Sequence, residues 1–225
     1  MARIQTGRAA PGAVFAAVFS ILLTTAANAD VVTREFDVRS GGLLEINTDI
    51  GKLDVRTGGT DRVTVEVVRD GERGELLELT FNQDADRVSV KGDFPRDEGG
   101  WSRGKRAKIT FNVTVPRRFN LKLATAGGSI EVGDLDGELR AHTSGGSLDF
   151  GQIQGKVDAQ TSGGSIRLAG GGSDVEVETS GGSIGIGPVL GTVRAHTSGG
   201  SVKIKEVSGA VRATTSGGSI QATML

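Results

Sequence analysis

The sequence predicts an all-β fold: a single-chain parallel β-solenoid of the β-helix or β-roll kind, with 18 residues and two strands in each coil. The first observation behind this prediction is a Thr-x-Gly-Gly-Ser-aliphatic motif that recurs six times at a spacing of 18 residues, beginning at Thr125, Thr143, Thr161, Thr179, Thr197 and Thr215. The second is that apolar and polar residues alternate between the motifs, as in Leu148-Asp149-Phe150. A short fixed period indicates stacked repeats, and the alternation indicates strands with one buried face.

Residues 1–29 have the pattern of a signal peptide. Arg3 and Arg8 are followed by an apolar run of 11 residues and then by Ala27-Asn28-Ala29, which fits a cleavage site. We therefore expect a mature chain that begins at Asp30 and has no further membrane span. It would be exported to the periplasm, the cell surface or the medium. The alternative is an uncut anchor, but the run is shorter than the about 20 apolar residues that cross a bilayer.

Residues 30–120 keep strand character but lose the strict period, so we predict irregular N-terminal β coils and a cap. The segment 30–42 is the expected cap, because the terminal unit of a repeat stack needs an atypical sequence. One degenerate copy of the repeat is visible, since residues 44–55 align with residues 121–132. The candidate strands of this region are 31–38, 43–55, 62–68, 76–81, 87–90 and 107–115.

Residues 121–225 form the regular part of the predicted solenoid. A glycine opens nearly every half-repeat of nine residues, which predicts corners with backbone conformations that other residues resist. The repeated threonines are expected to hydrogen-bond to nearby backbone, with an ice-binding or ligand-binding hydroxyl array as the alternative. Small inward residues such as Ala141 predict a narrow core without a pocket. Gly171 takes the place of an aliphatic residue, which predicts a thin or bent coil.

The composition excludes several classes of function. The chain has 225 residues and a formal net charge of −1, without the basic surface that nucleic acids require. It has no cysteine, which excludes disulfides and thiolate metal sites. One tryptophan and no tyrosine leave few surfaces for stacking. No aspartate recurs in the glycine-rich turns to bind calcium. We therefore predict neither a cofactor nor a metal.

Two outward ladders hold the residues with the most chemistry. His142 and His196 take the same position three coils apart, about 14 Å at the strand spacing, so they cannot share one metal ion. The neighbouring ladder reads Lys122, Arg140, Asp158, Glu176, Arg194 and Arg212. We interpret its opposite charges, Arg140 with Asp158 and Glu176 with Arg194, as cross-strand pairs. Asp158 beside Glu176 is the single acidic pair, and it is the candidate site for the alternative function of a polysaccharide-active enzyme.

Two further features are candidate contact sites. Trp101 lies in a loop with Arg103 and Arg106, which is either a recognition tip for a partner or a loop folded over the side of the coils. The last strand carries no charge, and an uncovered edge there would pair with a second copy in end-to-end dimers or short filaments. The residues of this edge are Ile220, Ala222, Met224 and Leu225. The alternative is an edge that the last two of these residues fold over and cover.

The run from Val115 to Val132, Val-Pro-Arg-Arg-Phe-Asn-Leu-Lys-Leu-Ala-Thr-Ala-Gly-Gly-Ser-Ile-Glu-Val, leads into the glycine-cornered repeats. In this run and the repeats the chain resembles, from residue 43 to its end, a bacterial family of exported β-solenoid domains of unknown function with the name "putative adhesin". The resemblance implies an exported or envelope protein and carries over no catalytic residue. We therefore expect a non-enzymatic β-solenoid that serves as a cell-envelope scaffold or as an adhesin-like binding surface for an envelope protein or a glycan.

Overall fold

The computed structural model describes residues 29–59, 61–71, 74–94 and 107–225. Within these ranges the chain is all-β, with 19 strands, a 3₁₀ turn at Gly74–Leu76 and no α-helix. The described residues accordingly contain no helix with the length and apolar character to cross a membrane. In chain order the strands are β1 Ala29–Asp37, β2 Leu43–Thr48, β3 Lys52–Gly58, β4 Arg62–Asp70, β5 Glu78–Asp84, β6 Arg87–Asp93, β7 Lys108–Pro116, β8 Asn120–Thr125, β9 Ile130–Val132, β10 Leu139–Thr143, β11 Leu148–Ile153, β12 Val157–Thr161, β13 Ile166–Gly171, β14 Val175–Thr179, β15 Ile184–Ile186, β16 Val193–Thr197, β17 Val202–Val207, β18 Val211–Thr215 and β19 Ile220–Met224.

The strands form two large, mostly parallel sheets. A ten-stranded sheet has the order β1-β4-β7-β3-β9-β11-β13-β15-β17-β19, and a nine-stranded sheet has the order β18-β16-β14-β12-β10-β8-β2-β6-β5. From β8 onward the chain alternates between the sheets. Each of these strands up to β17 pairs in parallel with the strand one repeat later, so that Leu139 lies beside Val157 and Leu148 beside Ile166. The 18-residue period of the sequence thus becomes the register of both sheets.

One hydrophobic core is built from the inward side chains of both sheets. In β12, Val157, Ala159 and Thr161 are buried, whereas Asp158 and Gln160 are half-buried and exposed. The inward residues are mostly valine, leucine and isoleucine, whose shapes pack well on a pleated surface. The alternation in the sequence therefore decides which face of each strand is removed from water.

The N-terminal region, predicted to form irregular β coils and a cap, contains three antiparallel strand pairs. β1 pairs with β4, β4 with β7 and β5 with β6, all antiparallel. Only two residues, Ala85 and Asp86, join β5 to β6, and so short a connection can link only antiparallel strands. Ala85 adopts a φ of 50° in this turn. The sequence contains no clear signal for this hairpin, because it lacks the Asn-Gly or Asp-Gly pair that marks such turns.

The degenerate repeat lies where its alignment predicts. β2 and β3 pair with β8 and β9, with Leu44 beside Leu121 and Leu53 beside Ile130. On their other side β2 and β3 pair with β6 and β7. The segment 43–58 therefore lies between two segments that both follow it in the sequence, so spatial order and chain order differ in this region.

Most predicted strands of this region are present with shifted ends. The candidate 43–55 is two strands, because Gly51 between β2 and β3 has a φ of 126°, a conformation that favours glycine. The candidate 76–81 begins two residues later, at Glu78, because the 3₁₀ turn precedes it. The other four candidates match β1, β4, β6 and β7 to within three residues at either end.

The N-terminal end of the two sheets is closed by strands from both of them. β1 is the edge of the ten-stranded sheet and β5 the edge of the nine-stranded sheet. Phe36 of β1 is 6% exposed, and its ring centroid lies 6.4 Å from that of Phe81 in β5. The guanidinium of Arg34 lies 5.6 Å from the centre of the Phe81 ring. The expected cap, residues 30–42, therefore supplies part of this cover, and β5 supplies the rest.

The corner glycines are needed for a reason other than the predicted one. Among the described glycines, a positive φ occurs at Gly41, Gly51 and Gly71 only, and none of these is a corner of the regular part. A Cβ on Gly146 would instead lie 2.1 Å from the carbonyl oxygen of Gly128, and a Cβ on Gly164 would lie 2.1 Å from that of Gly146. The backbones of successive repeats touch at this corner, which leaves no room for a side chain.

Gly171 does not produce the predicted thin or bent repeat. β13 extends to Gly171 as its last residue, and Gly171 stays in register with Ile153 and Val189. A Cβ on Gly171 would lie 3.1 Å from Cγ2 of Val175. The side chain of Val175 thus occupies part of the space that an aliphatic side chain at position 171 would fill, and the register of the strands is kept.

Candidate functional site

The outer face of the nine-stranded sheet brings together the most reactive side chains. The neighbouring strands β12, β14, β16 and β18 each contribute two outward residues, held in line by parallel pairing. Adjacent strands lie about 4.8 Å apart, so these residues form two straight columns. We call the set of eight the charged face: Asp158, Gln160, Glu176, Glu178, Arg194, His196, Arg212 and Thr214.

Each strand of the charged face ends in a threonine that fastens it to the repeat before. Thr179 Oγ1 donates a hydrogen bond to the carbonyl oxygen of Gly164 at 2.7 Å and accepts one from the N–H of Gly182 at 3.3 Å. The same pair of bonds recurs at Thr143, Thr161, Thr197 and Thr215. The predicted structural role of the threonines is confirmed. Because Thr143 and Thr197 are 0% exposed, these hydroxyls do not form the alternative surface array.

The cross-strand ion pairs predicted for the ladder from Lys122 to Arg212 do not form. Arg140 is the register neighbour of Asp158, and Glu176 is that of Arg194. Within the described ranges, however, neither pair has a nitrogen and an oxygen within 4.0 Å. An exposed ion pair gains little over hydration, so side chains at one strand spacing are free to extend into solvent instead.

Charges do pair further along the same ladder. Lys122 and Arg87 both donate hydrogen bonds to the carboxylate of Glu45, at 2.6 Å and 2.7 Å. These two bonds, first that of Lys122, hold the pKa of Glu45 below its ordinary value. Among the described residues of this ladder, charges are thus neutralised at Glu45, which lies between two cations, and not on the charged face.

A shallow depression crosses the charged face. It is lined by Glu176, Val177, Glu178, Arg194, Ala195, His196, Arg212 and Thr214. Groups of both signs meet there, and the two apolar lining residues, Val177 and Ala195, are buried residues of β14 and β16. The sequence reasoning missed this depression because it treated the two outward columns separately. The signal that could have revealed it is the proximity of Glu178 to His196, one repeat apart in the second column.

The two histidines remain apart, as predicted. His142 and His196 occupy the same outward position, with Gln160 and Glu178 between them. In the part of the chain that the structure describes, no group of three or more histidine, aspartate or glutamate side chains is placed to hold a metal ion.

The acidic pair lies on an open surface. Asp158 and Glu176 are register neighbours on β12 and β14. Asp158 is half-buried and Glu176 is exposed. A glycosidase uses two carboxyl groups on either side of a bound sugar, whereas a sugar at this pair would lie on one side of both.

The last strand leaves an exposed apolar edge. Ile220, Met224 and Leu225 are 46%, 62% and 81% exposed, and Ala222 is exposed as well. The N–H of Leu225 donates to the carbonyl oxygen of Val207 at 3.2 Å, so the chain continues alongside β17. The alternative in which Met224 and Leu225 fold over the edge was therefore wrong. Pairing of this edge with a second copy stays a prediction.

The remaining predicted contact site lies elsewhere in the chain. Trp101, Arg103 and Arg106 fall outside the described residues, as does the predicted signal peptide except for its last residue. Their roles stay predictions.

No family model matches the chain, and no curated protein matches it. Several solved bacterial structures are similar to it. A "putative adhesin" from Bacteroides fragilis NCTC 9343 is 16% identical, over 86% of this chain and 97% of the other, with a TM-score of 0.44. A "putative cell adhesion protein" from Clostridium sporogenes ATCC 15579 is 14% identical, over 86% of this chain and 99% of the other, with a TM-score of 0.38.

A third similar structure carries a different name. A "putative lipid binding protein" from Parabacteroides distasonis ATCC 8503 is 14% identical, over 88% of this chain and 96% of the other, with a TM-score of 0.28. Proteins with the adhesin name, which the run from Val115 to Val132 led us to expect, are thus among the similar structures. At these identities the likeness assigns no role to any residue.

Proposed function

We propose that the chain is an exported, non-enzymatic β-solenoid whose outer faces serve as a binding or scaffold surface in the cell envelope. The observation that carries this proposal is the register. From β8 to β19 the chain passes alternately through two sheets, and equivalent outward residues line up across successive repeats. Such columns suit a partner that contacts a row of side chains rather than one deep pocket. The partner class that we propose is an envelope protein or a glycan.

The core supports this function because it fixes the surface in advance. Val175, Val177 and Val193 lie beneath the charged face and are at most 2% exposed. The threonine bonds tie each strand to the previous repeat. A partner would therefore meet an ordered surface, and little entropy would be lost in ordering this chain.

Photo-crosslinking in cells that make the protein tests the proposal. One variant carries a photoreactive residue at Gln160, on the outer face of the nine-stranded sheet. A matched variant carries it at Lys203, on the outer face of the ten-stranded sheet. We expect one of the two faces to give a single dominant protein or glycan product in mass spectrometry. A chain that diffuses freely and gives no product from either face would contradict a binding role.

The alternative of a polysaccharide-active enzyme depends on Asp158 and Glu176. Purified protein would be incubated with a broad panel of envelope and plant glycans, together with the variants Asp158→Asn and Glu176→Gln. Turnover that both variants lose would replace the binding proposal with the enzymatic one. Silence across the panel is the result that we expect.

A second candidate function is self-association through the last strand. Ile220 and Met224 are 46% and 62% exposed, whereas Val202 and Val207, their register neighbours on β17, are 1% and 0% exposed. An uncovered apolar edge of this kind pairs readily with another strand.

Light scattering at high concentration tests this candidate and should show end-to-end dimers or short filaments. Met224→Lys should abolish them, and Gln221→Lys, which faces outward on the same strand, should weaken them less. A strict monomer would end this candidate.

A further inference from the structure

In the first column of the charged face, the cations and the anions exchange places when the column is read in the opposite direction. From β18 to β12 the first column reads Arg212, Arg194, Glu176 and Asp158, which is two cations followed by two anions. In the second column His196 is the neighbour of Glu178. Read from the other end, every cation of the first column takes the place of an anion. The charged face is therefore complementary to a reversed copy of itself.

These charges are available to a partner. Arg194, Arg212 and Glu176 are exposed and Asp158 is half-buried. Within the described part of the chain none of the four belongs to an ion pair within 4.0 Å. Other charges of the same sheet are taken up, as Lys122 is by Glu45 at 2.6 Å. A two-fold interface uses one surface twice and therefore needs a self-complementary one, and the order of these unneutralised charges meets that condition.

We propose that two copies of the chain associate through their charged faces, about a two-fold axis that runs parallel to the strands between β14 and β16. This axis reverses the order of the strands and keeps each column opposite itself. Arg194 then faces the partner's Glu176, and Arg212 faces the partner's Asp158. In the second column His196 faces the partner's Glu178. Each of these contacts occurs twice, so the face is neutralised across the axis.

A shifted axis between β10 and β12 would also match opposite charges. It would place Arg140 opposite the partner's Asp158 and Glu176 opposite the partner's Lys122. Lys122 is already bonded to Glu45, however, so this arrangement would break an existing pair. It would also leave His196 without an acidic residue opposite. The axis between β14 and β16 uses only charges that have no ion-pair partner in the described chain.

The size of the face sets the strength of the association. Four strands at about 4.8 Å spacing and five residues at about 3.3 Å each cover roughly 300 Å² per partner. Stable interfaces bury about 800 Å² per partner. We therefore expect a weak, rapidly exchanging dimer that depends on charge and weakens at least about tenfold as salt rises from about 0.02 M to about 0.5 M.

Charge reversal with mixing tests the proposal by sedimentation equilibrium. Arg194→Glu alone places an acidic side chain opposite the partner's Glu176 at both copies of this contact. Glu176→Arg alone likewise places a basic side chain opposite the partner's Arg194, so neither variant should form this dimer at low salt. An equimolar mixture of the two should dimerise again, because each reversed residue then faces its opposite. The double variant Arg194→Glu/Glu176→Arg should dimerise by itself. Lys203→Glu changes the net charge equally but lies on the other sheet, and it should behave as the wild type.

Three results would overturn the proposal. These are a wild-type chain that stays monomeric at about 1 mM in low salt, a mixture that does not restore dimers, and a Lys203→Glu variant that dissociates as fully as Arg194→Glu. Circular dichroism checks that each variant folds, and the double variant covers the case in which one single variant does not. Association through β19 would be insensitive to these reversals and sensitive to Met224→Lys. In the crosslinking experiment, mass spectrometry distinguishes a product of two copies of this chain, which reports the dimer, from a product with another protein or a glycan. Only the second kind of product counts for the proposed function, so the two proposals can fail or stand independently.

Discussion

Thr143 Oγ1 donates a hydrogen bond of 2.8 Å to the carbonyl oxygen of Gly128, one repeat earlier in the stack. The N–H of Gly146 donates to the same hydroxyl at 3.3 Å. The hydroxyl thus joins two successive corners, and the bond recurs in every later repeat. A ladder of buried hydroxyls therefore fixes the position of one corner of each repeat upon the next.

Replacing one of these threonines should measure that bond. Thr161→Val keeps the shape of the side chain but leaves the carbonyl oxygen of Gly146 without this donor. We expect the free energy of unfolding to fall by about 1–3 kcal/mol, the cost of a buried polar group that loses its partner. Denaturant titration followed by circular dichroism gives this value.

Thr161→Ser is the matched control, since serine keeps the hydroxyl. It should cost clearly less than Thr161→Val, with the lost methyl contributing about 1 kcal/mol. Equal losses in the two variants would show that the methyl group, and not the hydrogen bond, stabilises the corner.

The corner glycines allow a prediction on adjacent residues. A Cβ on Gly146 would lie 2.1 Å from the carbonyl oxygen of Gly128, whereas a Cβ on Gly145 would lie 3.8 Å from the nearest atom, the carbonyl oxygen of Ala126. Gly146→Ala should therefore force the repeats apart and cost at least about 2 kcal/mol. Gly145→Ala should change stability by no more than about 0.5 kcal/mol. Thermal unfolding of the two variants side by side is the measurement, and equal melting temperatures would contradict close backbone approach.

The regular part of the fold could be predicted because one local pattern determines its long-range pairing. Once residues repeat every 18 positions, Leu148 must lie beside Ile166 if the repeats stack in parallel. The N-terminal region has no such pattern. Its hairpin at Ala85 and its antiparallel β4 depend on packing between distant segments such as Phe36 and Phe81, for which the sequence contains no periodic signal.

The sequence predicts where the residues of the candidate site lie, but it does not predict which of their charges form ion pairs. The sequence correctly orders the ladder that contains Arg140, Asp158 and Glu176, because order follows from register. Whether two neighbours on that ladder form an ion pair depends on rotamers and hydration, whose free energies nearly cancel at an exposed surface. The sequence could therefore not predict that an ion pair forms at Glu45 and none forms at Asp158 among the described residues. For the same reason, only the structure shows that the charges of the charged face have no ion-pair partner in the described chain.

Glu45 should make the protein sensitive to acid in a defined way. Hydrogen bonds from Lys122, and then from Arg87, lower the pKa of Glu45 from its ordinary 4.5. As the pH falls, the unfolded chain therefore binds this proton first. The stabilisation is present above the ordinary pKa and is lost as the pH falls through the lower pKa of the folded state.

Unfolding free energies measured from about pH 6 to about pH 2 should show this loss in the wild type and a shallower decline in Glu45→Gln. Glu138→Gln is the control, because Glu138 is exposed and forms no ion pair among the described residues. It should follow the wild-type curve. An NMR titration in which the carboxyl of Glu45 has its midpoint at or above the ordinary value would contradict the prediction.

Phe36 should stabilise the N-terminal end of both sheets. Phe36 is 6% exposed, and its ring centroid lies 6.4 Å from that of Phe81 across the two edge strands. Phe36→Ala would open this end and should lower the free energy of unfolding by about 3–5 kcal/mol. Phe36→Leu retains most of the buried surface and should cost about 1 kcal/mol.

Amide hydrogen exchange shows where in the chain Phe36→Ala acts. The amides of β1 and β5 should exchange faster in this variant, while those of β14 and β16 keep their protection. Uniformly faster exchange along the chain would mean instead that the two sheets unfold as one unit, with no separately closed end.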